Sequence, residues 1–258
     1  MTEGIKTMIE VFPDLCGKLG QSLVLLIVPA LIGLVVGTLF CIARVGRKNI
    51  IYYFVALNVS FWRGTPQMVQ LFLFFYGVPI IFNALFGIST RAWSSWVLVI
   101  ITLGLNMGVY YCEALRAAYL SLDKGQIEAG YSIGYNRLQC FWKVIVPQTL
   151  RIALPNMKNL TTELLKTTAL AFALGLVDVM GKANQLCTIR YGVGQMWILA
   201  AAAVIYWGMN ILLCWFFQCM VNVFSKGEIG YIKHPSECRN RRYFTLAKAG
   251  NGGVSHGI

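Results

Sequence analysis

Charged residues are scarce in this 258-residue sequence: Asp, Glu, Lys and Arg make up only 12% of it, against 57% hydrophobic residues. A typical soluble domain is about 25% charged and about 45–50% apolar. So little charge excludes an ordinary water-soluble globule and a disordered chain. Together with a mean hydropathy of +0.64, it predicts an integral membrane protein with several spans.

Acidic residues, histidines and closely paired cysteines are also few. The 10 acidic residues against 22 Lys and Arg give a net charge of +12. In a membrane protein this excess belongs to cytoplasmic loops facing anionic lipid, so we predict membrane lipids and no nucleic acid as partners. His234 and His256 lie in the C-terminal tail and no CxxC pair occurs, so we expect no metal site. A Cys16–Cys187 bridge is left open.

Long apolar runs are what the sequence does contain. Acidic residues precede the first run, and Arg44, Arg47 and Lys48 follow it. The positive-inside rule then predicts that residues 1–18 are extracellular and that the C-terminus is cytoplasmic. The sequence predicts an all-α membrane protein of about five transmembrane helices, ending in a flexible basic cytoplasmic tail at 226–258. The predicted spans are 19–43, 52–82, 93–119, 155–179 and 195–224.

The second run is too long for one straight span and is interrupted by Arg63-Gly64-Thr65-Pro66. Proline interrupts a helix, and the residue before it avoids helical dihedrals. We interpret residues 50–62 as a helix near the inner interface or entering the membrane. Residues 66–82 would complete the crossing.

Residues 121–148 are polar and basic and should form a cytoplasmic loop. Within it, Glu128-Ala129-Gly130 is followed by three residues, by Gly134, by nine residues and then by Val144-Ile145-Val146-Pro147. This matches the pattern EAA, three residues, G, nine residues, I-x-L-P. On this motif the sequence resembles the permease subunits of bacterial ABC importers. The segments Arg63–Pro66, Tyr76–Pro79 and Pro147–Pro155 make it similar to the polar amino-acid uptake branch.

The resemblance implies a type I ABC importer permease fold over residues 19–225, in the bacterial cytoplasmic membrane. It implies a second permease, identical or paralogous, a dimer of ABC ATPase subunits, and an extracellular or periplasmic amino-acid-binding protein. ATP and Mg would be used by the ATPase, and this chain would bind no cofactor and catalyse no reaction. Its nearest approach to a P-loop, Gly175…Gly181-Lys182-Ala183, has the wrong glycine spacing and lacks the Ser/Thr that holds Mg²⁺.

An importer needs a rigid cytoplasmic element that docks on its ATPase. The loop can supply two short helices with Gly134 at the turn, since a sharp bend favours a residue without Cβ. Glu128 would pair with the partner or cap its own loop, and Ala129 and Gly130 would allow close approach. The alternative is a basic loop lying on anionic lipid, under which the ordered spacing has no purpose. The predicted coupling residues are Glu128, Ala129, Gly130, Gly134, Arg137 and Pro147.

Polar residues within spans indicate a partner or a cavity, because an ionisable group at mid-membrane costs about 2.5–3.5 kcal/mol. Asn106, Tyr110, Glu113 and Ala117 share one face of the third span. With the broken helix they could line a cavity for a zwitterionic amino acid, or Asn106 could simply join helices.

The fourth span repeats this pattern with Asn159, Glu163, Lys166 and Leu170, where Glu163 and Lys166 can partly neutralise each other. As alternatives, Asn159 could simply join helices, and the Glu163–Lys166 pair could be purely structural. In the family, the residue after the asparagine matching Asn159 is often acidic, and here it is Leu160. This departure weakens the case for a cationic substrate and makes a neutral or sulfur-containing one such as cystine fit as well. The predicted substrate-binding residues are Gly64, Thr65, Gln70, Asn106, Tyr110, Leu160, Glu163 and Lys166.

The predicted function is the permease subunit of an ATP-driven importer of a polar amino acid. The main alternative is a self-contained secondary carrier or channel for small polar solutes, which would show inverted repeats or an ion relay. A membrane-embedded enzyme would need clustered catalytic groups, and the predicted spans contain no histidine.

Overall fold

The computed structural model describes residues 2–46, 48–87 and 93–225, and these residues form helices and no strand. The predictions about Arg47 and about the tail at 226–258 therefore lie outside the described residues. A π-helical turn, Phe141–Ile145, precedes α8, and a 3₁₀ stretch, Ala169–Leu174, follows it. The helices are α1 Thr2–Cys16, α2 Leu19–Val45, α3 Ile50–Gly64, α4 Gln67–Phe86, α5 Ser95–Leu120, α6 Lys124–Ser132, α7 Arg137–Cys140, α8 Val146–Thr168, α9 Val179–Ile189 and α10 Gln195–Ser225.

Four of these helices, α2, α4, α5 and α10, are long and apolar enough to cross a membrane. A fifth candidate span is the bent path that joins Arg137–Leu174 to Val179–Ile189 at an angle of 44°. The all-helical class with four to five apolar helices is therefore confirmed. The bounds of α2, α5 and α10 differ from the predicted ones by at most two residues.

The run at 52–82 is interrupted as predicted, and two separate helices occupy this stretch. Helix α3 ends at Gly64, and Thr65 is extended, with φ −114° and ψ 145°. Helix α4 alone has 20 residues, which at about 1.5 Å per residue can cross a bilayer core without α3. It ends at Phe86, where Gly87 adopts the left-handed conformation that favours glycine.

The predicted limits of the fourth span, 155–179, differ from those of the helix in this stretch. Helix α8 begins at Val146 and contains Pro155 in its interior. It continues through the 3₁₀ stretch and stops where Gly175 turns left-handed. The chain then bends, and Asp178 caps α9 through a hydrogen bond from the Gly181 amide, 2.9 Å long. The break follows from local turn and cap chemistry.

Helices α2 and α5 lie side by side at very short range. A Cβ added to Gly33 would come within 2.6 Å of the Met107 Cβ, and one added to Gly37 within 2.8 Å of the Gly108 carbonyl oxygen. On α5, a Cβ added to Gly104 would lie 2.7 Å from the Ile32 side chain of α2. One added to Gly108 would lie 2.7 Å from the Val36 side chain. Two small-xxx-small motifs therefore face each other, the arrangement by which membrane helices approach closely. We call this contact the glycine seam.

The two ends of the bundle can be told apart by their contacts. Helix α2 starts beside α1 and spans 27 residues, about 40 Å. At its far end, Arg44 forms an ion pair with Glu113, near the end of α5, where the loop 121–148 begins. The loop end and the α1 end are thus opposite. Between them α2, α5, α8 and α10 bury a core that includes Leu25, Val109, Leu164 and Ile198.

Candidate functional site

The loop at residues 121–148 folds into two short capped helices. Asp123 caps α6, accepting a hydrogen bond from the Gly125 amide at 2.9 Å. Asn136 caps α7 in a reciprocal box with Gln139, with bonds of 2.8 and 3.0 Å. Gly134, between the helices, has φ +89°, a conformation that other residues rarely adopt. The predicted pair of helices with Gly134 at the turn is what the structure shows.

Inside this loop, Gly130 packs against α7. Gly130 and Cys140 are both buried, and a Cβ on Gly130 would lie 3.3 Å from the Cys140 sulfur. The small size of Gly130 therefore allows α6 to approach α7 closely, and the predicted contact of Gly130 with the ATPase stays a prediction. Ala129, beside it, is exposed.

The outward surface of the loop combines charge with large apolar side chains. Glu128 and Arg137 are exposed, and Ile133, Leu138 and Trp142 are exposed on the same loop. The caps of α6 and α7 belong to Asp123 and Asn136, so Glu128 does not cap its own loop. A cluster of exposed apolar groups on a loop is typical of a protein-binding surface.

The loop is continuous with α8. Helix α7, the π-helical turn and α8 follow one another without a break, and Pro147 is half-buried at the start of α8. Because Pro147 has no N–H, it cannot donate to the preceding turn, and that turn is the π-helical one. A displacement of the loop would therefore be transmitted directly to α8.

Three of the predicted substrate-binding residues meet at the break between α3 and α4. The Gln70 amide nitrogen lies 2.6 Å from the Trp62 carbonyl oxygen, 2.9 Å from the Thr65 carbonyl oxygen and 2.7 Å from the Thr65 hydroxyl. Asn106 on α5 donates to the Gln70 side-chain oxygen at 2.6 Å. Gln70 and Asn106 are buried, while Gly64 is exposed. The side chains thus satisfy the backbone groups that the break frees, as a membrane interior requires.

The predicted polar face of α8 is exposed. Glu163 and Lys166 form an ion pair of 3.2 Å at the surface, Asn159 is exposed on the same helix, and Leu160 is half-buried. One turn further, the Thr167 hydroxyl donates to the Gln67 side-chain oxygen at 2.7 Å and ties α8 to the start of α4.

The structure does not join all the predicted substrate-binding residues into one cavity. Thr65, Gln70 and Asn106 form one group, Glu163 and Lys166 form another, and Tyr110 is half-buried on α5. Two interhelical cavities, one between α4 and α5 and one among α2, α5, α8 and α10, are almost wholly apolar, and none of the predicted residues lines either.

Comparison with known proteins identifies the architecture. Residues 21–222 match the family described as binding-protein-dependent transport system inner membrane component. The chain belongs to this family. The permease is 36% identical, over 84% of its length and 89% of the relative's, to the L-cystine transport system permease protein TcyL of Bacillus subtilis (strain 168). It is 34% identical to the probable amino-acid ABC transporter permease protein PatM of Vibrio harveyi, over 80% of its length and 89% of that protein's.

Solved structures share its fold. A crystal structure of an amino acid ABC transporter with histidines superposes with a TM-score of 0.71 at 24% identity, covering 84% of the permease and 96% of that chain. An inward-facing structure of the MetNI methionine ABC transporter gives 0.62 at 19% identity, covering 82% and 96%. The protein is thus an amino-acid ABC transporter permease with a type I importer fold, a multi-pass protein of the inner membrane.

The permease contains two polar clusters that the sequence did not predict. At the loop end, Glu113 accepts from Arg44 and from Arg116, the latter at 2.9 Å, and the Arg44 guanidinium lies 5.9 Å from the centre of the Tyr52 ring. Glu113, placed by periodicity on a substrate-facing stripe with Asn106, instead joins the ends of α2 and α5. Its partner Arg44 lies 69 positions away, and no local pattern indicates that pairing.

The second cluster surrounds Asp178, which is fully buried at the bend before α9. Its carboxylate accepts hydrogen bonds from the Ser22 hydroxyl at 3.3 Å, the Tyr206 hydroxyl at 2.9 Å and the Gly181 amide. It therefore connects α2, α9 and α10 at the α1 end. A single acid within an apolar run was the only signal for it in the sequence. Nearby, Cys16 and Cys187 are both free thiols, so the bridge left open above is not formed.

Proposed function

We propose that the permease is the membrane subunit of an ATP-driven importer that takes up a polar amino acid delivered by an extracellular or periplasmic binding protein. The family is named for its dependence on a binding protein, and several relatives are named as amino-acid permeases. The observation that carries the proposal is the capped loop at 121–148, which exposes charged and apolar groups and runs directly into α8.

In this mechanism the loop couples a separate ATPase to the membrane helices. Two ABC ATPase subunits bind ATP and Mg, close on each other and move the docked loops of two permeases, identical or paralogous. Glu128, Arg137 and the exposed apolar groups contact the ATPase, while Gly134 and Pro147 keep the loop's shape. Because α7 and α8 are continuous, the movement reaches the exposed face of α8 and opens the pathway outward. Hydrolysis then resets it.

Substrate recognition is assigned to the polar face of α8 and to the α3–α4 break. The Glu163 carboxylate and the Lys166 ammonium offer complements to both charges of a zwitterion. Gly64 and Thr65 at the break contribute backbone contacts, and the buried Gln70 and Asn106 hold that break in place.

Tyr110 and Leu160 would line the remainder of the site, which a second permease completes. The apolar Leu160 favours a neutral substrate, and we propose cystine as the first to test, in keeping with the name of one relative.

The proposed topology places the α1 end outside and the loop end in the cytoplasm. Residues 1–18 would then be extracellular and the basic tail at 226–258 cytoplasmic. The excess of Lys and Arg near the loop end supports this orientation.

The test is uptake by proteoliposomes that contain the permease, its ATPase and its binding protein. We expect radiolabelled cystine to accumulate only when ATP and the binding protein are present. Unlabelled polar amino acids should inhibit this uptake to different degrees. Uptake by the permease alone, driven only by a solute or ion gradient, would instead establish a secondary carrier. If another amino acid competes far better than cystine, the importer stands and the substrate assignment changes.

A further inference from the structure

The turn between α9 and α10 has an unusual backbone. Tyr191 has φ +50° and is the one non-glycine residue with positive φ among the described residues. Gly192 and Gly194, which follow, have φ +80° and +75°. A left-handed conformation is unfavourable for a residue with a Cβ, so the surrounding structure must hold Tyr191 in place. We call residues 189–196 the α9–α10 turn.

Successive backbone hydrogen bonds make this turn rigid. The amides of Tyr191, Gly192 and Val193 donate to the carbonyl oxygens of Thr188, Cys187 and Arg190 at 3.1, 2.9 and 2.9 Å. The first two bonds terminate α9, and the third closes the next turn. The conformation of Tyr191 is therefore set before any partner arrives.

Helix α1 fastens the turn to the bundle. Arg190 forms an ion pair with Glu10 at 3.4 Å, and a Cβ on Gly194 would lie 3.2 Å from the Thr7 methyl carbon. These contacts place the turn at the α1 end, on the opposite side of the bundle from the coupling loop.

The turn presents a cluster of apolar groups outward. Ile189, Tyr191, Val193 and Met196 are exposed by 68, 95, 74 and 83%. Four large apolar side chains projecting from one fixed turn form a protruding knob, with Tyr191 at its tip. Tyrosine is among the residues that dominate protein interfaces, and a preorganised backbone loses little freedom when it binds.

We propose that the α9–α10 turn is a docking point for the substrate-binding protein, with Tyr191 inserted into an apolar depression on that protein. This inference rests on the proposed function, since it needs a binding protein at the α1 end. The family is binding-protein-dependent. The proposed topology puts the α1 end outside the cell, which is the side from which the binding protein would approach. A lipid contact would require neither a strained nor a rigid backbone, because lipid adapts to any apolar surface.

The test measures ATPase activity of the reconstituted complex while the substrate-loaded binding protein is titrated. Tyr191→Asn keeps a residue that tolerates the left-handed backbone but removes the ring. We expect the half-maximal concentration of binding protein to rise about tenfold or more, as for loss of a tyrosine hot spot, with unchanged activity in its absence. Tyr191→Phe should remain close to wild type. Leu212→Ala, an exposed apolar site in the middle of α10, should change nothing.

Three outcomes decide the matter. A raised half-maximal concentration for Tyr191→Asn alone supports the docking assignment. Equal titration curves for wild type and Tyr191→Asn would overturn it while leaving the importer intact. A wild-type complex that never responds to its binding protein would defeat the proposed function, and the docking assignment with it.

In-cell photocrosslinking gives an independent readout. A benzoylphenylalanine at position 191 should yield an adduct containing peptides of an extracellular amino-acid-binding protein, and the same probe at position 212 should not. Adducts with lipid alone at position 191 would assign the turn to the membrane interface and refute docking.

Discussion

The glycine seam predicts that one added methyl group will destabilise the permease. In Gly37→Ala the new Cβ would stand 2.8 Å from both the Gly108 carbonyl oxygen and the Tyr111 Cβ, and 3.0 Å from the Cys112 amide nitrogen. Two of these three atoms belong to the backbone of α5 and cannot rotate away. Relief therefore requires α2 and α5 to separate along their length.

The size of the effect follows from two opposed contributions. Alanine is favoured over glycine in a helix interior by about 1 kcal/mol, and overpacking a close contact costs about 1–3 kcal/mol. Gly208→Ala on α10 should gain the helix preference of alanine without the cost of overpacking, because nothing lies within 4 Å of its added Cβ. The two variants should therefore differ by about 1–3 kcal/mol, with Gly37→Ala the less stable.

The measurement is thermal unfolding of purified wild type, Gly37→Ala and Gly208→Ala in the same detergent. At about 2–4 °C per kcal/mol, the midpoint of Gly37→Ala should lie about 2–12 °C below that of Gly208→Ala. Equal midpoints would refute the close parallel packing of α2 and α5. A lower midpoint in both variants would indicate that glycine is needed in these helices for another reason.

Three further changes test the loop, the break and the bend. Gly134→Ala forces a Cβ onto a backbone at φ +89°, costs the turn about 1–2 kcal/mol, and should abolish ATP-driven uptake while the protein still inserts. Asn106→Ala leaves the buried Gln70 oxygen without its donor, and should lower unfolding stability by about 1–3 kcal/mol and weaken substrate-stimulated ATPase activity. Asp178→Ala removes the acceptor of three hydrogen bonds, and should cost at least about 3 kcal/mol in chemical unfolding.

Each of these changes has a matched control. Gly87→Ala imposes the same strain at φ +63° at the end of α4, away from the coupling loop, and should retain uptake. Asn58→Ala removes a half-buried amide that donates to the local Phe54 carbonyl oxygen, and should change stability by about 0.5 kcal/mol or less. Asp14→Ala removes an exposed carboxylate that lies 4.0 Å from the Lys182 ammonium. Losing this surface ion pair should lower the free energy of unfolding by about 1 kcal/mol or less. A control that behaves like its partner variant would contradict the assigned contact.

Local signals in the sequence predicted several elements well. The apolar run after residue 18 gave α2 its start, Pro66 ended α3, and Gly134 marked the turn of the loop at 121–148. The limits of α8 differ from the predicted 155–179 because this helix is amphipathic and carries polar residues at both ends. Its limits depend on what packs against it, which a hydropathy pattern does not contain.

The candidate site was predicted only in part, for a related reason. Periodicity correctly placed Glu163 and Lys166 together, since partners three apart on a helix must meet. It placed Asn106 and Glu113 on one stripe, yet their partners Gln70 and Arg44 lie on other helices, 36 and 69 positions away. The stripe is therefore divided between a helix break and an ion-pair cluster.

By itself the sequence determined the membrane class, most helix limits and the turn of the 121–148 loop, because hydrophobicity, proline and glycine act on their immediate surroundings. Only the tertiary structure decided which polar groups meet. Ser22 and Asp178 are hydrogen-bonded although 156 positions separate them. Helices α2 and α5 pack closely through facing glycines, and α1 contacts the turn that contains Tyr191. Such pairings depend on how whole helices pack, because a buried polar group needs a partner wherever the packing places it.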